Sequence, residues 1–307
     1  MSVLIKKITL ITLLSCTLIS CTQTNFDQLK NIQNVVGTVS GVNSPGSQST
    51  GNQNSNNDVV SSGISTFLMY SKDDTLEEEL AIGKIFAAQI LGASKLHADL
   101  KLQNYVNKVG RHVASQSERS NLPWTFGVIN TSSINAFSAP GGYVLITKGL
   151  FDLLQTEDEL ASVLGHEIAH VCRKHYYNVV KKQKLIEFGT KVGASASGIG
   201  QSDQMINMLQ GIVGKAMARG LDKSSEYEAD RDGMVLAARA GYDASALTNV
   251  LEILETKGKS DSTMALLFAT HPAPVDRITE LVSVITPELD LDAVPSAAKD
   301  RILVFKK

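Results

Sequence analysis

His166-Glu167-Ile168-Ala169-His170 sets two imidazoles four positions apart, with a carboxylate next to the first. In a helix, residues at that spacing lie about 40° apart around the axis, so both rings face one point. Neutral imidazole nitrogens converging in this way are what a divalent metal ion binds, and Glu167 stands beside such an ion without ligating it. From there its carboxylate can take a proton from water as a general base. The chemistry open to these residue types is metal-assisted hydrolysis.

A hydrolytic zinc takes three protein ligands and keeps one position free, so the pair predicts a third donor elsewhere. The metzincin arrangement would need glycine and histidine where Arg173 and Tyr176 stand, and is excluded. The gluzincin arrangement takes a glutamate from a later helix with an aspartate one turn beyond, and Ser225-Glu226-Tyr227-Glu228-Ala229-Asp230 supplies both. Glu226 is expected as the ligand and Asp230 as the acceptor that orients His166. Glu228 is the rival ligand, but it lies on a different helix face and forfeits the four-residue spacing to Asp230.

The elements that must position these residues follow from periodicity. Thr156-Glu157-Asp158-Glu159 resembles a capping box, opening a helix that runs through ELASVLGHEIAHVCRKHYYNVV. On one continuous helix His175 would point away from His166, and Cys172 would sit about 160° from His170 as a small buried hydrophobe. A second important helix is expected from Ser224 or Ser225 to Ala240, with Gly241 as its stop. Earlier, apolar positions from Leu80 to Ile90 and the stretch LQNYVNKVGRHVASQ read as helices; His97 and His112 belong there as surface or core-edge residues. Trp124 to Asn130 and Tyr143 to Thr147 read as strands, with a turn at Pro140-Gly141-Gly142. Residues 189–214 suggest a helical hairpin or a partly mobile segment. Helices around Ala244 to Thr256 and Val275 to Val284 flank the interruption His271-Pro272-Ala273-Pro274.

The chain of 307 residues, 43% apolar with a formal charge of -2, can bury one sizeable core plus a small accessory segment. A basic footprint is absent, which argues against nucleic acid as a partner. Lys6 and Lys7 precede an apolar run from Ile8 to Ile19 that closes in Leu18-Ile19-Ser20-Cys21. The run is short for a membrane span and reads as a secretory signal over residues 1–20. The tetrapeptide resembles a bacterial lipobox, which makes Cys21 the acylated first residue and Thr22 an outer-membrane sorting choice in a Gram-negative cell. Removal of Cys16 and acylation of Cys21 would leave only Cys172, so no intrachain disulfide is expected. Residues 37–64, rich in Gly, Ser, Asn and Gln, suggest that 21–73 form a flexible tether, leaving a catalytic domain over 74–287 and a tail over 288–307.

HEIAH, SEYEADRDG, NAFSAPGGYVLITKGL and THPAPVDRI, in their order, together resemble peptidase family M48 across residues 75–285. Long transmembrane runs are lacking, which points to the periplasmic lipoprotein branch. The resemblance implies an α+β, mostly helical gluzincin (zincin-like) metallopeptidase domain with a small β-sheet beside the HExxH helix, holding one Zn2+ per chain. It implies an endopeptidase cutting unfolded or misassembled envelope proteins, lipid-anchored in a bacterial envelope and facing the periplasm. Substrate would pair its backbone with an edge strand near Ala136, Phe137, Gly141, Gly142 and Tyr143. His271 and Arg277 match the family's histidine-proline and downstream arginine, and either would stabilise the oxyanion. In some periplasmic relatives the histidine loop instead closes over the metal. The alternative is a chaperone-like zinc-binding lipoprotein whose site is mostly closed.

Overall fold

A computed structural model describes residues 27–34, 74–191, 201–258, 260–285 and 302–306. Its elements in order are α1 (27–34), α2 (Leu76–Ala93), α3 (Leu100–Ala114), β1 (Thr125–Ile129), β2 (Ala136–Ala139), β3 (Tyr143–Thr147) and α4 (Lys148–Leu153). There follow α5 (Glu157–Cys172), α6 (His175–Lys191), α7 (Gln201–Arg219), α8 (Lys223–Arg239), α9 (Ala246–Lys257), α10 (Ala265–Thr270) and α11 (Pro274–Ile285). The chain is thus mostly helical with one small sheet, the architecture that the resemblance implies.

β3 is the middle strand, parallel to β1 and antiparallel to β2. All five of its residues are buried because both faces of the sheet are covered. Val144 and Ile146 join Val106, Phe126, Leu164 and Ile168 in the core beneath α3 and α5. Tyr143 and Leu145 point the other way, into a second core with Phe86, Ile90, Tyr177 and Ile212 from α2, α6 and α7. This is the two-residue period of a strand serving two layers.

The outer edge of β1 is closed by side chains from the α3 face. The Gln103 amide accepts from Val128 N and donates to Val128 O, both at 2.8 Å, and Asn107 Oδ1 accepts from Phe126 N at 3.1 Å. Among the described residues β2 has no strand on its outer side, so it is an edge of the sheet, with Ala136, Ser138 and Ala139 buried. The Pro140-Gly141-Gly142 turn returns the chain through positive φ at Gly141 (78°) and Gly142 (100°), and Gly141 N donates to the buried Glu79 carboxylate at 3.0 Å. Gly141 and Gly142 therefore belong to the turn, and Tyr143 opens the central strand. This corrects the expected edge strand, of which only Ala136–Ala139 remain.

α5 begins as its sequence suggests, with Thr156 Oγ1 accepting from Glu159 N at 3.1 Å, while the Glu159 carboxylate reaches back to Gln155 N. It ends earlier than expected. Arg173 N and Lys174 N donate back to Ala169 O and Val171 O, and Lys174 takes φ 58°, so α6 starts afresh at His175. Lys174 is steadied there by Glu79 at 3.7 Å and by the Tyr177 ring, 5.4 Å from its ammonium. His175 consequently leaves the helical path on which it would have faced away from the HExxH pair.

α5 crosses α8 at two glycines. A methyl group at Gly165 would lie 2.6 Å from the Gly233 carbonyl oxygen, and one at Gly233 would lie 2.7 Å from the His166 Cα. Their absence lets the two backbones touch, which sets how near Glu226 and Asp230 can come to the imidazoles.

Two stretches outside the expected domain pack onto it. In α1, Leu29 is fully buried and Gln33 Oε1 accepts from Leu96 N at 2.9 Å, so part of the expected tether is docked. In the expected tail, Ile302 is buried and Phe305 stacks on Tyr105 at 4.7 Å between ring centres. The signal peptide, Cys21 and the rest of the tether lie outside the described residues.

The crossing yields a test. Gly233→Ala should cost about 1–3 kcal/mol of stability, since neither backbone can yield to the added methyl. A denaturation midpoint equal to wild type would show that the contact is not as tight as described.

Candidate metal centre

His166, Glu167 and His170 lie on the buried inner face of α5, and Glu226 and Asp230 on the facing side of α8. His166 Nε2 and His170 Nε2 are 3.0 Å apart, and Glu226 stands 3.7 Å from the first and 3.5 Å from the second. Ligands at about 2.0–2.1 Å from one tetrahedral ion sit roughly 3.3 Å from each other, so these spacings suit a common centre. Glu228 is not part of this group; its carboxylate lies against His175.

The hydrogen bonding independently fits a cation. His166 Nδ1 faces the Asp230 carboxylate at 2.8 Å and donates to it, leaving a bare lone pair on Nε2. His170 is engaged through its Nδ1 as well, 2.8 Å from His175 Nδ1. Both oxygens of Glu226 are fully buried without a hydrogen-bond partner among the described residues. A buried carboxylate facing bare imidazole nitrogens, with no donor, needs a cation among them.

Charge is held beneath the centre by Arg277, whose Nε donates to Asp230 at 2.9 Å while Nη2 takes the second oxygen. Burial opposes ionisation of Asp230, but Arg277 and His166 outweigh it and hold its carboxyl well below the usual range. Burial pushes the other two carboxyls up: Glu226 to about 7, and Glu167 above its ordinary value despite the opposing pull of His166 and the Ser138 hydroxyl. Burial and neighbouring cationic groups keep His170 and His271 far below the usual imidazole range. For His166, burial and Arg277 also act downward, yet Asp230 and Glu226 prevail and raise it.

His271 joins the cluster from the turn between α10 and α11. Its Nε2 is 3.9 Å from Glu226 Oε2, and the four side chains His166, His170, Glu226 and His271 offer donor atoms all within 4.8 Å of one another. His271 thus stands beside the three-donor set as a candidate fourth donor, at a spacing wider than that of the other three. Arg277 grips Asp230 through Nε and Nη2 and also lines the same small cavity as Glu167.

Side chains that periodicity does not single out complete the surroundings. The Tyr176 ring lies 6.3 Å from that of His170, and burial together with Glu226 and Glu167 pushes its phenol far up. Glu167 and His166 also border a cavity of about 30 Å³ whose other walls include Val163, Leu247, Leu251 and Leu267. A larger cleft of about 400 Å³, lined by Cys172, Arg173, Asp232 and Arg239, includes none of the clustered donors.

A family model described as peptidase family M48 matches residues 100–285. The beta-barrel assembly-enhancing protease of Yersinia pestis is 30% identical over 217 residues, covering 67% of this chain and 43% of that protein. Metalloprotease LoiP of Escherichia coli strain K12 is 29% identical over 242 residues, covering 74% of this chain and 88% of that protein. Mitochondrial metalloendopeptidase OMA1 of Schizosaccharomyces pombe is 29% identical over 178 residues, 58% of this chain and 51% of its own length. The chain thus spans less than half the length of the assembly-enhancing protease.

Two outcomes follow from the charges. Arg277→Met leaves Asp230 buried without its main countercharge and should destabilise the protein by about 3–5 kcal/mol in denaturant unfolding. Because the Glu226 carboxyl is raised to about 7, the metal-free chain holds a proton there below that pH, and the proton must leave before a cation binds. Zinc affinity by chelator competition should therefore fall as pH drops through 7; a flat profile would contradict the assignment.

Proposed function

Because the chain belongs to peptidase family M48, we propose that it is a zinc metalloendopeptidase hydrolysing peptide bonds in unfolded or misassembled cell-envelope proteins. The observation that carries the reading is Glu226, whose two oxygens, without a hydrogen-bond partner among the described residues, face the nitrogens of His166 and His170. Nitrogen and oxygen donors in a tetrahedral spacing suit zinc. An ion held there supplies a Lewis acid that acidifies water and polarises the scissile carbonyl.

The chain's own residues do the remaining work. Glu167 accepts the proton of the attacking water and passes it to the leaving amine, and its raised pKa brings it nearer the working pH for both transfers. Asp230, clamped by Arg277, holds His166 with Nε2 inward. β2, an edge strand of the sheet among the described residues, would offer its backbone to an extended substrate, which selects unfolded segments rather than a particular sequence.

Action on envelope proteins is supported by the lipobox-like run ending at Cys21 and by relatives called beta-barrel assembly-enhancing proteases. We place the mature chain on a membrane by its lipid, facing the periplasm, at the outer membrane in a Gram-negative cell. No helix among the described residues is long and apolar enough to cross a membrane.

The four-donor set favours a second reading, a chaperone-like lipoprotein with its centre shut. We take closure by His271 as a resting arrangement of the enzyme. Wild type should cleave an unfolded protein, a chelator should abolish cleavage, and Glu167→Gln should lower it by about 10²–10⁴-fold. Equal cleavage by both proteins would overturn the mechanism, and binding without cleavage by either would favour the chaperone. His271→Ala should raise cleavage if the side chain plugs the centre; a fall of about 10²–10³-fold would instead make it the oxyanion donor.

A further inference from the structure

The helix break at Lys174 returns His175 to the metal centre, although nothing in the hydrolytic reading uses it. Its Nδ1 lies 2.8 Å from His170 Nδ1, and its Nε2 lies 3.1 Å from Glu228 Oε2. His175 is buried, whereas Glu228 is partly exposed and also lies 3.5 Å from Arg173 Nε.

Proton directions along this chain are determined by its outer end. The Glu228 carboxylate can only accept, so His175 carries its proton on Nε2. The Nδ1 of neutral His175 is then bare and must accept, which makes His170 the donor through Nδ1–H. That leaves the lone pair of His170 on Nε2, the atom facing His166 and Glu226. We propose that His175, held by Glu228, is a positioning residue for the metal centre, fixing the tautomer and ring orientation in which His170 Nε2 meets the ion. It would do for His170 what Asp230 does for His166. Two ligands of one centre are thereby oriented by different means, one by a buried carboxylate directly, the other by an imidazole relayed to a partly exposed one.

The inference rests on His170 being a metal ligand, and the test separates the two claims. Zinc affinity of the mature chain is measured by chelator competition for wild type, His175→Leu, His175→Asn and Glu228→Ala, alongside thermal midpoints of the metal-free proteins. His175→Leu should weaken zinc binding by about 10–100-fold. His175→Asn, whose carbonyl oxygen can stand where Nδ1 stood, should recover most of the loss, and Glu228→Ala should fall between. The metal-free midpoints should stay together, which a merely structural role would not allow. Wild-type affinity in His175→Leu, or no recovery in His175→Asn, overturns the proposal and leaves the proposed function standing. Failure of wild type itself to bind zinc overturns both. Nitrogen-15 NMR of the zinc-loaded wild type needs no variant: it should find a hydrogen-bonded proton on His170 Nδ1, and ligation through Nδ1 would refute the relay.

Discussion

Two helix backbones in contact determine the geometry of this molecule. Side chains normally keep helix axes about 8–10 Å apart, and a closer approach changes which side chains of the two helices meet. With hydrogen in place of a methyl at Gly165 and Gly233, the carbonyl of one helix rests on the backbone of its neighbour. Glu226 lies seven residues before Gly233 and Asp230 three, so both stand on the stretch of α8 that this contact presses toward His166 and His170. The sheet, packed between two cores, supplies the rigid floor against which α5 is held.

Bringing the groups so close creates an electrostatic problem with a graded solution. Burial opposes every charge in the cluster, yet the groups respond differently because their partners differ. Asp230 keeps its charge against Arg277, whereas Glu226, with no donor to either oxygen among the described residues, is pushed toward the neutral form by burial. Glu167 is raised as well, because burial outweighs the pull of His166 and the Ser138 hydroxyl. One carboxylate is thus held ionised to orient a ring, one awaits a cation, and one remains free to exchange protons.

The same compactness brings His271 to the centre. His271 follows α10 in extended backbone, with its amide donating to Leu267 O at 2.8 Å, and its ring comes within reach of Glu226. If His271 closes the resting centre as proposed, hydrolysis needs that ring to withdraw, and the turn bearing it is framed by Pro272 and Pro274, which limit the backbone paths available. The exchange required is local, one side chain at the mouth of a preformed site, as expected for a two-state shift of population.

Local rules made much of this legible. Helical phase alone puts His166, Glu167 and His170 on one side of α5, and the four-residue step from Glu226 to Asp230 needs only the α-helical repeat. β-Branched and aromatic composition likewise locates β1 and β3, and Thr156 caps α5 where its side-chain chemistry allows. What local periodicity could not decide was anything set by contacts between distant segments. Lys174 is an unremarkable lysine in sequence, and its left-handed turn is supported by Glu79 and Tyr177 from other helices. The docking of Leu29, the commitment of Arg277 to Asp230 and the return of His175 to His170 have the same origin. The sequence by itself determined which donors the chain carries and the helix face each one shares, because those follow from a repeat of 3.6 residues. Which of them meet, and what occupies the rest of their hydrogen-bonding capacity, was decided only by tertiary packing, because the energy of a buried charge depends on neighbours far away along the chain.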